Sequence, residues 1–168
     1  MKTKILSLSK EQLALFQFSI LMGLSIILPL FHSQYITGPM VNAVLFLSAV
    51  LAGSTGAMFI AMIPSVIALS TGLLPIAIAP AVPFIMLGNA ILIAAFILLQ
   101  KKSFWLAAIA ASFAKFIFLF GSSQLVIGLI AKKQAAVAAV SMLSYPQLVT
   151  ALMGAFLAWG ILKGLKRI

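Results

Sequence analysis

Met40–Leu74 reads MVNAVLFLSAVLAGSTGAMFIAMIPSVIALSTGLL, and the fold turns on whether this tract crosses a membrane once or twice. A transmembrane helix needs roughly 20 apolar residues. Glycine with serine and threonine punctuates a chain, and Gly53-Ser54-Thr55-Gly56 interrupts the tract near its middle. The tract therefore reads as two short spans. Other apolar runs surround it, so that 64% of the 168 residues are hydrophobic and 7% charged. Soluble domains are about half apolar and about a quarter charged. A soluble fold of this size could not hide so much apolar surface, and the prediction is an all-α integral membrane bundle.

Six transmembrane helices are expected, at about 12–31, 40–53, 56–73, 84–100, 104–131 and 145–163, in a single domain covering 1–168. The first follows a lysine-bearing start like that of a signal peptide. Its length and the lack of a small-x-small cleavage site favour a retained helix. The polar stretch from His32 to Pro39 reads as a loop, as does the proline-bearing stretch from Leu74 to Pro83. The fifth span, about 40 Å as one straight helix, must tilt, project or break at Gly121-Ser122-Ser123. Gln134 to Leu143 reads as an interfacial segment, and Pro146 suits the first turn of the last span.

Charge placement supports two crossings in the opening tract. With six spans, Lys2, Lys4, Lys10, Lys101, Lys102, Lys163, Lys166 and Arg167 gather on one side, opposed only by Lys132 and Lys133. The positive-inside rule then puts both termini in the cytoplasm; the expected location is a prokaryotic inner membrane. The net charge of +10 is dispersed between apolar runs and gives no case for nucleic acid.

Glu11 is the only acidic residue and precedes the first span. Intramembrane proton relays use Asp and Glu, and phosphoryl transfer needs acids to hold magnesium. A Ser–His–Asp triad is excluded because the chain has no Asp, and thiol chemistry because it has no Cys. There is no GxxxxGK(S/T) phosphate loop. His32 alone makes a poor metal site. The chain is expected to be no enzyme and to use no metal or cofactor, so any work it does must be driven from elsewhere.

Lys115, well inside the fifth span, is the sharpest polar signal. A lysine near mid-bilayer costs about 2.5–3.5 kcal/mol. It either snorkels to the interface or faces a polar cavity, and with no protein carboxylate to pair with it, a ligand's negative or carbonyl group becomes a partner. Gln147, Thr150, Ala151 and Gly154 share one helix face, suited either to interhelical hydrogen bonds or to a ligand. Asn89 has the same two readings; Asn42 reads as structural. Small residues at four-residue spacing, Ser19 and Gly23 among them, allow close helix packing or the docking of another subunit. His32 and Tyr35 lie where a substrate could meet the loop.

The run from Ile36 to Ala57, ITGPMVNAVLFLSAVLAGSTGA, resembles the second and third helices of the substrate-binding S components of energy-coupling factor transporters. Length, six spans, high isoelectric point, the apolar proline segment after the third span and the Tyr145-Pro146-Gln147-Leu148 start of the sixth agree with it. The resemblance implies a non-enzymatic subunit that binds a vitamin-like micronutrient from outside. It implies partners too: a transmembrane coupling subunit and ATPase subunits. A cavity among helices four to six and two outer loops would map onto Lys115, Asn89, Gln147, Thr150, His32 and Tyr35, and the docking face onto Ser19 and Gly23. If Lys115 faces that cavity, a carboxylate-bearing cargo is expected. The competing reading is a structural or accessory membrane subunit without a small-molecule cargo.

Overall fold

The computed structural model describes residues 9–130 and 133–168. Lys2, Lys4 and Lys132, invoked in the charge argument, lie outside them. Every regular element among the described residues is helical, and six stretches of them are long and apolar enough to cross a membrane. The chain is a multi-pass membrane protein.

Helix α1 (Lys10–Ile27) opens on a capping box. The Gln12 N–H donates to the Ser9 hydroxyl at 3.2 Å and the Ser9 N–H to the Gln12 side-chain oxygen at 2.9 Å, each satisfying a donor left free by the first helical turn. A 3₁₀ turn, Leu28–Phe31, follows, and His32 in the left-handed region closes it. Helix α2 then runs Gln34–Leu51. Most of the stretch read as a loop is thus its first turns. Pro39 is tolerated inside the helix because neighbouring groups can compensate for the lost backbone donor.

The opening tract does divide. Only Ala52 separates α2 from α3 (Gly53–Ser70), and Gly53 takes φ +75°, a conformation that disfavours side chains. Ser54, Thr55 and Gly56 already belong to α3. After α3 the second expected loop is a 3₁₀ segment, Ile76–Ala81, leading directly into α4 (Val82–Leu99). Ile78 and Ala81 are buried against α5 and α6, and apolar burial in place of solvation is what orders this segment.

Helix α5 (Phe104–Leu129) runs unbroken through Gly121-Ser122-Ser123. The two serine hydroxyls donate to the Phe118 and Phe120 carbonyls of their own helix and leave its backbone ladder intact. The alanine-rich piece is helix α6 (Lys133–Leu143), too short to cross alone, and Ser144 separates it from α7 (Tyr145–Gly164). One end of the bundle carries the start of α1, the α2–α3 and α4–α5 turns and the end of α7. The two 3₁₀ segments and α6 cap the opposite end.

Candidate functional site

Two glycines bring the polar residues of the interior together. A Cβ at Gly154 of α7 would lie 2.6 Å from the Asn42 Cβ and 2.8 Å from the Pro39 carbonyl oxygen, so α2 and α7 touch through their backbones. At Gly88 of α4 a Cβ would lie 3.0 Å from the Leu119 side chain. That approach holds Asn89 next to α5.

Into this junction reaches Lys115, 2% exposed. Its ammonium donates to the Asn42 side-chain oxygen at 2.8 Å and to that of Asn89 at 2.9 Å. Each asparagine is oriented by its own amide nitrogen. Asn42 donates to the Gly38 carbonyl at 2.9 Å and toward the Thr150 hydroxyl at 3.4 Å, and Asn89 donates to the Ala61 carbonyl at 3.1 Å. Pro64 lacks the N–H that the Ile60 carbonyl would accept, and Asn89 adds a donor at the next carbonyl of the same turn. Thr150 donates to the Gln147 carbonyl at 3.3 Å, and the Gln147 amide to the Met142 carbonyl at 3.0 Å. No buried side-chain nitrogen or oxygen among the described residues lacks a partner.

An ammonium has three donors, and protein oxygens take two of those on Lys115. Beside it is a cavity of about 70 Å³, bordered also by Asn42, Asn89, Gln147, Thr37 and Ser65. It holds a few water molecules or one small polar group. It lies in the half of the bundle away from Lys101 and Arg167, and Pro29, Leu74 and Met142 border it from the capping elements. Lys115 therefore does not snorkel; its head group is buried among α2, α4 and the cavity.

Of the residues singled out in the sequence, Lys115, Asn89 and Gln147 border the cavity, and Thr150 joins it through Asn42. His32 and Tyr35 are exposed at the neighbouring end, Tyr35 at 83%, and neither borders the cavity. Ser19 is exposed on α1 and Gly23 half-buried, with open space at its Cβ position. The cavity is not confined to the later helices, because α2 and α3 contribute Thr37, Asn42 and Ser65. Asn42, read as structural, does join α2 to α5 and α7, and it also borders the cavity. The signal was present as an amide in an apolar span, but its alignment with Lys115 depends on helix packing.

No protein-family model matches this chain, and neither a curated protein nor a solved structure is significantly similar to it.

Proposed function

We propose that this chain is the membrane-embedded capture subunit of an energy-coupling-factor-type uptake transporter, non-enzymatic by itself, binding a small solute through a carboxylate or similar anionic group. The observation that carries this reading is Lys115, a buried basic side chain whose amine meets two neutral amide oxygens and borders a cavity. A charge taken out of water needs compensation, and the one acidic side chain, Glu11, sits in the first turn of α1. A guest's carboxylate supplies both the missing charge and an acceptor for the third donor. On the positive-inside reading Lys101, Lys102, Lys163, Lys166 and Arg167 lie in the cytoplasm, and the cavity then lies in the outer half of the bundle, the side from which uptake loads.

A site for a vitamin-sized guest occupies about 300–1,000 Å³, and the space beside Lys115 is about 70 Å³. Capture then widens it, by displacement of the capping segment after α3 and of α6. The Lys115 amine is the anchor, and Asn42, Asn89 and Gln147 orient the guest.

The test is binding by the purified protein, without ATP, of the small molecule that remains with it after gentle extraction. Lys115→Met weakens that binding at least tenfold, about 1.4 kcal/mol. Unchanged affinity would remove Lys115 from the site. The small size of the cavity favours a second reading, an accessory subunit in which the polar cluster only joins helices. Native mass spectrometry separates the two: a retained small molecule supports capture, and a retained protein alone supports the accessory role.

A further inference from the structure

The charged end of the bundle has an opening of its own, far from Lys115 along the helices. A cleft of about 420 Å³ lies between the α4–α5 turn and the end of α7, bordered by the apolar Val50, Phe96, Phe104 and Ile168 and by Gln100, Lys101 and Arg167. This is within the range of small-molecule sites. Glu11, the one acidic side chain, is not among its lining residues.

The border is built in part by an unusual helix end. The Lys166 N–H donates to the Lys163 carbonyl at 3.1 Å, and the Arg167 N–H to the Leu162 carbonyl at 2.9 Å. This double bond pattern usually closes on glycine, which takes the left-handed conformation freely. Here Lys166 takes it, at φ 53°, which is strained for a residue with a side chain. The turn folds the chain back, so that Arg167 lines the cleft with Lys101. Nearby, the Lys163 ammonium lies 4.8 Å from the Trp159 ring centre, and Trp159 is 5.6 Å from Trp105. Paired tryptophans with lysine mark the headgroup level of a bilayer.

We propose that this cleft binds the phosphodiester of an anionic phospholipid. Arg167 and Lys101 meet the phosphate oxygens, since a guanidinium matches phosphate with two parallel hydrogen bonds. The upper part of an acyl chain covers the half-buried Val50 and Phe104. Basic pockets between transmembrane helices recognise lipid headgroups in this way, and the apolar border favours a lipid over free phosphate. The proposal does not depend on Lys115.

The test is native mass spectrometry of the full chain released from micelles containing equal phosphatidylglycerol and phosphatidylcholine. The expected result is retention of phosphatidylglycerol in at least tenfold preference, within the roughly thirtyfold that two interfacial cations supply. The doubly substituted K101Q/R167Q protein loses the preference. Lys166→Gly keeps it, because glycine preserves the same helix end, and Lys115→Met keeps it as well, so the capture reading and this one fail separately. Equal retention of the two lipids, undiminished retention by K101Q/R167Q, or displacement of phosphatidylglycerol by millimolar inorganic phosphate would each overturn the proposal.

Discussion

The two halves of the bundle hold their helices together by different means. Around Phe46 and Phe96 the contacts are dry. Ala57, Ala107, Ala155 and Ala158 are fully or almost fully buried, and the Phe46 and Phe96 rings meet edge to face at 5.1 Å. Around Lys115 the contacts are amides, a hydroxyl and an amine, beside helices that carry Pro39 and Pro64 in their interiors and are capped by 3₁₀ segments. In lipid, bringing apolar helices together gains little hydrophobic energy, so close packing and hydrogen bonds do the holding. If helices part, acyl chains replace the contacts of a packed ring with a poorer fit. A hydrogen bond can be exchanged for one to a guest. The dry half is suited to be the frame and the polar half to be the part that opens.

The largest expected effect lies in the frame. Phe96→Ala removes a ring that also meets Phe104 at 5.4 Å and leaves a cavity where no side chain can follow. Stability falls by about 3 kcal/mol, read from thermal unfolding in detergent. A loss below about 1 kcal/mol would show that the dry half is not the frame.

A smaller effect is expected in the polar half. Asn89→Leu takes an acceptor from Lys115 and the donor from the Ala61 carbonyl, and costs about 2 kcal/mol. Adding Lys115→Met restores part of it, because the stranded cation is gone. No recovery in that double-mutant comparison would mean that Asn89 acts by packing, and the contrast between the halves would weaken.

The smallest effect is set at the hinge between α2 and α3. Gly53→Ala costs about 1 kcal/mol, entirely through the backbone, because nothing lies within 4 Å of the added Cβ. Cavity-site binding stays unchanged in this variant. A change in binding would show that the turn communicates with the polar half.

The division of Met40–Leu74 was legible because a glycine-bearing break in an apolar tract has few other meanings in a membrane protein. The loops at His32–Pro39 and Leu74–Pro83 were misread for one reason. Proline and polar residues mark chain reversals in water, but inside a bundle neighbouring helices satisfy the backbone groups that they leave free. Lys115 announced itself through the cost of its charge. Asn42 did not, because an amide in an apolar span carries no sign of which helix it faces.

By itself the sequence determined that the chain lives in lipid, that it is helical, where its positive ends lie, and that no acidic side chain beyond Glu11 can neutralise Lys115. These follow from composition and from the order of residues along one strand of chain. The tertiary structure decided which residues meet. It set Asn42 and Asn89 on the same ammonium, left one donor facing a small cavity, and kept His32 and Tyr35 outside it. The physical reason is helix rotation. Each helix has one buried face, and contacts such as that of Gly154 with the α2 backbone fix which side chains it presents.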